Sequence, residues 1–175
     1  RGETVLVTTT TRIMMPRNGL PERVVISGET GEILERAKGL LSASGCLTAA
    51  SACLPSQDKL IGFPAAQIEE LEQGNLFDWI LVEADGARHL PLKAPAPHEP
   101  VIPSASRWVV AVVGLDAIGR PLTDEWVFRS RLFAEITGLA PRAAITEESV
   151  AAALVHERGI MKNCPPAAIK YVFLN

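Results

Sequence analysis

Apolar residues fall along this chain in short, unbroken blocks. Blocks rich in β-branched residues and bounded by turn residues occupy Thr4–Val7, Val24–Ser27, Gly45–Leu54, Trp79–Val82, Trp108–Gly114 and Tyr171–Leu174. Continuous rather than alternating apolar residues are expected of strands covered on both faces. Between the blocks the period lengthens to that of a helix. In Thr30–Ser42, Ile33, Leu34, Ala37, Leu40 and Leu41 share one face; Ala65–Glu72, Asp124–Thr137 and Glu147–Glu157 follow the same rule. Thr123 or Asp124, and Thr146, are candidate N-caps, the last followed by two glutamates that suit the positive end of a helix. Strands alternating with helices predict βαβ units, a mostly parallel sheet and a single α/β domain over residues 1–175.

Composition narrows the functional classes. The chain has 175 residues, 47% hydrophobic and 21% charged, enough for a full core. Its net charge of −3 argues against a broad nucleic-acid-binding surface, which needs clustered Lys and Arg, although a local anion site stays open. Cys46, Cys53 and Cys164 show no CxxC spacing and read as reduced thiols of a cytoplasmic protein rather than zinc ligands. No apolar run approaches the ~20 residues of a membrane span, and no signal-peptide pattern opens the chain. Arg1-Gly2 before TVLV resembles the glycine stop of a helix, and YVFLN is a strand pattern at the other end; the expectation is a portion of a longer polypeptide.

In parallel sheets, ligands gather at the carboxyl ends of strands. Three such ends carry unusual chemistry here: Thr8-Thr9-Thr10-Thr11-Arg12, Glu83-Ala84-Asp85-Gly86, and Asn175. Threonines suit a strand end for steric reasons alone. Their hydroxyls could also hold a magnesium ion, or a water, near a terminal phosphate, because Mg²⁺ takes hard oxygen ligands. Glu83 and Asp85 would share one side if the strand conformation persists. Two carboxylates so placed repel unless a cation lies between them, a metal–phosphate or one of Arg12, Arg88 and Lys93. The plainer alternative is a carboxylate pair capping the Asp85-Gly86 turn.

That alternative leaves the next residues unexplained. Arg88, His89, Lys93, His98 and Glu99 are set among Pro91, Pro95, Pro97, Pro100 and Pro103. Each proline fixes φ and removes a donor, so this loop is expected to be stiff and extended, pairing neither as strand nor as helix. Such a loop presents side chains at little ordering cost, suiting a partner or substrate surface. His89 and His98 could ligate a metal, though hydrogen-bonded structural histidines are the plainer reading. Arg129 lies either on a solvated helix face or within reach of a phosphate.

Taken together, VLVTTTT, VEADGARHLPLKAPAPHEPVIP, VVGLDAIGRPL and YVFLN resemble the YqeC family, described as accessory proteins for selenium-dependent molybdenum hydroxylases. More widely, DWILVEADG is similar to the DxxxxExxG strand end of the P-loop class containing dethiobiotin synthetase and the metal-centre maturation GTPases. The resemblance implies a three-layer P-loop NTPase-like α/β fold, here without the Gly-rich phosphate loop that would precede Arg1. It implies Mg²⁺ and ATP or GTP as cofactors, with Thr8 to Thr11 beside the metal and terminal phosphate. Thr9, Glu83 and Asp85 would be the metal set, Glu83 and Asp85 would order the attacking water, and Arg88 and Lys93 would meet the nucleotide. Asn175 matches the first residue of the NKxD base-recognition motif. The implied partners are a molybdenum hydroxylase or its cofactor-maturation proteins, and the implied activity is slow nucleoside triphosphate hydrolysis. The rival expectation is a non-catalytic carrier or docking module on the same scaffold, with Arg88, Lys93 and His98 of the proline loop holding a partner protein or cofactor intermediate and His89, Glu99 and Arg129 in the same partner- or substrate-facing set.

Overall fold

A computed structural model describes residues 2–16, 23–41 and 45–175. Arg1, needed for the helix-stop reading, and Ser42, at the expected end of the first helix, lie outside them. The chain divides into two compact units, residues 1–86 and 87–175.

The first unit contains β1 (Val5–Thr9), β2 (Arg12–Met14), β3 (Val24–Ile26), α1 (Thr30–Leu41), β4 (Cys46–Ala50), β5 (Ala52–Leu54), β6 (Lys59–Ile61), α2 (Ala65–Gln73) and β7 (Trp79–Glu83). β3, β4, β1 and β7 form a parallel sheet in that order, with Thr9 opposite Glu83. β2, β6 and β5 form a small antiparallel sheet. The Gly45–Leu54 block is thus two strands rather than one. The chain turns at Ser51, whose hydroxyl donates to the Ile61 and Gly62 carbonyls, so β5 leaves the parallel sheet for β6.

Leu6, Val25, Leu47 and Ala49 of the sheet are buried against Ile33 and Ala37 of α1 and Ile68 and Leu71 of α2, with Phe63 completing the cluster. Each large side chain sealed there contributes roughly 1.5–3 kcal/mol. Both helices therefore pack on one face of the sheet, and the Thr30 hydroxyl joins them by donating to Glu70 Oε2 (2.7 Å). Ile80 and Val82 of β7 turn toward this core, whereas Trp79 (38% exposed) and Leu81 (51% exposed) turn away. Glu83, in phase with Trp79 and Leu81, lies on the face opposite the helices.

The second unit contains β8 (Leu92–Lys93), β9 (Trp108–Val113), β10 (Val127–Phe128), α3 (Ser130–Thr137), α4 (Glu147–Val155) and β11 (Ile169–Leu174). β9 pairs in parallel with β11, and β8 with β10. The core gathers Leu92, Val113, Val127, Phe133, Ile136, Ile145 and Val150. Two expectations are corrected here. The proline-rich loop does pair: between Pro91 and Pro95, Leu92 and Lys93 keep their backbone N–H groups and pair with Val127 and Phe128. The helix expected from Asp124 begins only at Ser130, because Val127–Phe128 is spent on that pairing and Arg129 adopts a left-handed conformation (φ 65°). Asp124 still serves the helix start, accepting from the Ser130 N–H at 3.0 Å.

α4 starts as expected at Thr146. Its hydroxyl accepts from Ser149 N (3.2 Å) while Ser149 Oγ accepts from Thr146 N (3.1 Å), a closed capping box. Thr146→Ala is expected to cost about 1 kcal/mol in urea unfolding, with the slope unchanged.

Candidate functional site

β1 occupies the inside of the first unit's sheet, with β4 on one side and β7 on the other. After β4 the chain crosses over β1 to reach β7, so the carboxyl ends of β1 and β7 flank a change of winding direction, the place where such sheets leave a crevice. The two candidate motifs emerge side by side there. The Glu83 carbonyl accepts from Thr9 Oγ1 (2.7 Å) and from Thr10 N (3.1 Å), fastening the threonine run to the acidic strand end.

The four threonines are not equivalent. Thr8 Oγ1 is buried and donates to the Ala49 carbonyl (2.9 Å). Thr9 Oγ1 gives its proton to Glu83 and accepts from Thr11 N (2.8 Å), and it lies 3.1 Å from Thr11 Oγ1; the residue is wholly buried. With its proton donated, that oxygen is the acceptor from the Thr11 hydroxyl too, which fills both lone pairs. Thr8 and Thr9, expected beside metal and phosphate, are thus engaged as β-sheet fasteners, and the half-buried pair Thr10 and Thr11 is what the run presents at the strand end. The strand stops at Glu83, so the alternation that would set Asp85 on the same side does not extend to it. Asp78, first residue of DxxxxExxG, sits at the opposite end of β7. Its Oδ2 accepts from Thr4 N (2.7 Å) and Thr4 Oγ1 (2.9 Å), which holds its carboxyl below the usual range and pins β7 to the start of β1.

Among the described residues, no three of His, Cys, Asp and Glu come together to hold a metal. Glu83, Asp85 and the Thr11 hydroxyl are a hard-oxygen set of the kind that suits Mg²⁺, which commonly takes one or two carboxylates and completes its shell with phosphate and water.

In the second unit the proline loop is largely core. Residues 92–96 are all buried, including Lys93, while Pro97 and His98 are exposed. Lys93 survives burial because Glu99 Oε2 lies 3.0 Å from its Nζ. Arg129 forks onto the same carboxylate, Nη1 to Oε2 at 2.6 Å and Nη2 to Oε1 at 3.3 Å, and also donates to the Ala94 carbonyl at 3.1 Å. Ala96 N adds a donor to Glu99 Oε2 at 3.0 Å. Burial pushes the Glu99 carboxyl up, but hydrogen bonds from Arg129, Ala96 N and Lys93 outweigh it and hold the pKa at about 2. Exposed His98 stands 3.9 Å from Glu99 Oε1. His89 is exposed, with φ 65°.

Three cations surround the ring of Phe128, with Arg129 Cζ 4.4 Å, Arg88 Cζ 4.6 Å and Lys93 Nζ 5.4 Å from its centroid. Sequence reasoning singled out the three cations and missed both Phe128 and the segment 156–163. That segment fastens the loop: Lys162 Nζ donates to the Ala96 carbonyl and Asn163 Nδ2 to that of Pro100. A lone aromatic in an apolar stretch has no pattern that marks it as a platform; only the cations' arrival over it does. Asn175 continues the β11 side of the parallel pair, its N–H donating to Val113 O (2.9 Å) and its carbonyl accepting from Leu115 N (2.7 Å).

These features define a mixed α/β protein built on parallel strand pairings, with acidic and hydroxyl groups at one strand crossing and a cation cluster on an aromatic ring. The chain belongs to the YqeC family: the family model described as "YqeC protein" matches residues 1–131. It is also 38% identical over 174 residues to "Uncharacterized protein YqeC" of Escherichia coli (strain K12), a match covering 99% of this chain and 66% of that relative. The chain therefore spans about two thirds of the relative's length. No solved structure matches it. Among the described residues, no helix is long and apolar enough to cross a membrane.

Proposed function

We propose that the protein binds a nucleoside triphosphate, ATP or GTP, at the carboxyl ends of β1 and β7 and acts as an accessory protein in the maturation of a molybdenum hydroxylase. The observation that supports this reading is the fastening of Thr9 and Thr10 to the Glu83 carbonyl, which brings the threonine run alongside the acidic end of β7 where the sheet changes winding direction. Thr11, Glu83 and Asp85 would hold Mg²⁺, which supplies charge neutralisation for the phosphates when bound. Glu83 or Asp85 orients a water for in-line attack on the γ-phosphorus; the bond to the β-phosphate oxygen breaks, and diphosphate nucleotide and phosphate leave. Positioning and charge neutralisation supply nearly all of such catalysis, and the proposed turnover is slow, that of a switch.

Calorimetric titration of the full-length protein with ATP and with GTP in the presence of Mg²⁺ tests the reading, and failure to bind either sinks it. The Glu83→Gln, Asp85→Asn double variant is expected to lose hydrolysis by roughly a hundredfold or more while keeping its far-ultraviolet circular dichroism. Unchanged phosphate release by that variant would remove the acidic pair from the mechanism.

A further inference from the structure

Arg88 is held in place at a cost, and its donors meet no acceptor among the described residues. Arg88 and His89 both have positive φ, 54° and 65°, a conformation that costs non-glycine residues roughly 1 kcal/mol each. The strained pair places the Arg88 guanidinium over Phe128, 4.6 Å from the centroid, and no acceptor meets its N–H groups among the described residues. Arg129 shares the ring at 4.4 Å and spends three N–H bonds on Glu99 and Ala94. A guanidinium carries five N–H donors, so two of Arg129's remain. Glu99 compensates one of these two arginines, and Lys93 within 5.4 Å of the same ring adds to the positive field.

We propose that the Phe128 platform is a receptor for a tetrahedral oxyanion, the phosphate class, clasped by Arg88 together with the remaining donors of Arg129. A carboxylate ligand would be satisfied by one guanidinium fork, whereas a tetrahedral dianion has oxygens for forks arriving from two residues. The aromatic ring holds both cations in position before the anion comes, which lowers the ordering cost of binding. Glu99 is the orienting counter-charge: it fixes Arg129 and leaves Arg88 to the ligand. The site lies wholly within residues 87–175 and stands without the nucleotide reading of β1 and β7. The oxyanion can arrive free or as the phosphoryl end of a nucleotide.

The test is calorimetric titration of the full chain at low ionic strength with sodium phosphate, and separately with ATP and GTP plus Mg²⁺. Arg88 is exposed and its main contact is with Phe128, so Arg88→Ala is expected to keep the fold, checked by circular dichroism. Phosphate affinity is expected to fall about tenfold or more in Arg88→Ala and less in Arg88→Lys, which keeps the charge and loses the fork. Phe128→Leu, which keeps an apolar residue and removes the ring face, is expected to weaken it several-fold. A fall for phosphate with nucleotide affinity unchanged supports a free oxyanion as the ligand; a parallel fall for both supports a nucleotide phosphoryl group. Absence of phosphate binding up to about 10 mM, or equal affinity in wild type and Arg88→Ala, overturns the proposal. The Glu83→Gln, Asp85→Asn variant separates the two sites, since it is expected to abolish nucleotide turnover with phosphate affinity intact.

Discussion

Glu99→Gln is expected to lower the unfolding free energy by about 3 kcal/mol, and by more than either Lys93→Met or Arg129→Met. The carboxylate is 16% exposed, with two cations on it, one of them a lysine side chain only 7% exposed. Removing its charge leaves Lys93 desolvated with one compensating group fewer, and breaking a buried ion pair from one side costs roughly 3–5 kcal/mol. Replacing a cation by an apolar residue of similar length takes away the charge that needed compensation, so the loss is smaller. Urea denaturation of the three variants checks the order, and a Glu99→Gln loss below that of Lys93→Met overturns it.

The same carboxylate dictates a pH dependence. Its folded pKa of about 2 lies below the unfolded value of 4.5, so the unfolded chain binds the extra proton between them. The stabilisation is fully present above about pH 4.5 and is lost as pH falls through about 2. Wild-type urea midpoints should therefore drop across that window more steeply than those of Glu99→Gln. Parallel profiles would show that the cluster does not hold Glu99 ionised in acid.

Gly62→Ala is expected to be the most disruptive single change in the first unit, costing roughly 4 kcal/mol or abolishing soluble expression. A Cβ at position 62 would fall 2.1 Å from the Thr9 carbonyl oxygen, 2.6 Å from its carbon and 2.9 Å from Thr11 N. All three are backbone atoms. They cannot step aside, because Gly62 N donates to Thr11 O at 2.8 Å and Phe63 N to Thr9 O at 2.9 Å. The clash falls on the threonine run beside Glu83, so the nucleotide binding proposed there should be lost along with stability. Gly39→Ala is the matched control. It lies inside α1 with nothing within 4 Å of its Cβ position, and is expected to stabilise by about 0.5–1 kcal/mol. Equal thermal midpoints for the two variants would overturn the close-approach argument.

The strand blocks at Val5–Thr9, Trp79–Glu83 and Trp108–Val113 were legible because parallel strands announce themselves by composition over five or six residues, with no knowledge of partners. α1 and the start of α4 were legible for a similar reason, since helical period and capping residues act within a few positions. β2, β6, β8 and β10 were not. They are two or three residues long, too short for periodicity, and exist because a partner from elsewhere lies alongside. The start of α3 escaped for the complementary reason: Val127–Phe128 fits a helix pattern, and its pairing with Leu92–Lys93 overrides it.

The site divides along the same line. Family membership, the acidic strand end of β7 and the set of cations in the proline loop were written in local residue order. Which threonine hydroxyls are consumed depended on Ala49 and on Glu83, the latter 74 positions from Thr9. That Lys93 is core and shares Glu99 with Arg129, 30 positions farther on, depended on β8 meeting β10. A sequence specifies which groups a chain carries and the conformations neighbours can share, because propensity and capping act over a few residues. Whether a hydroxyl or a charge is free for chemistry is decided by long-range partners and burial, and those exist only once the chain has folded.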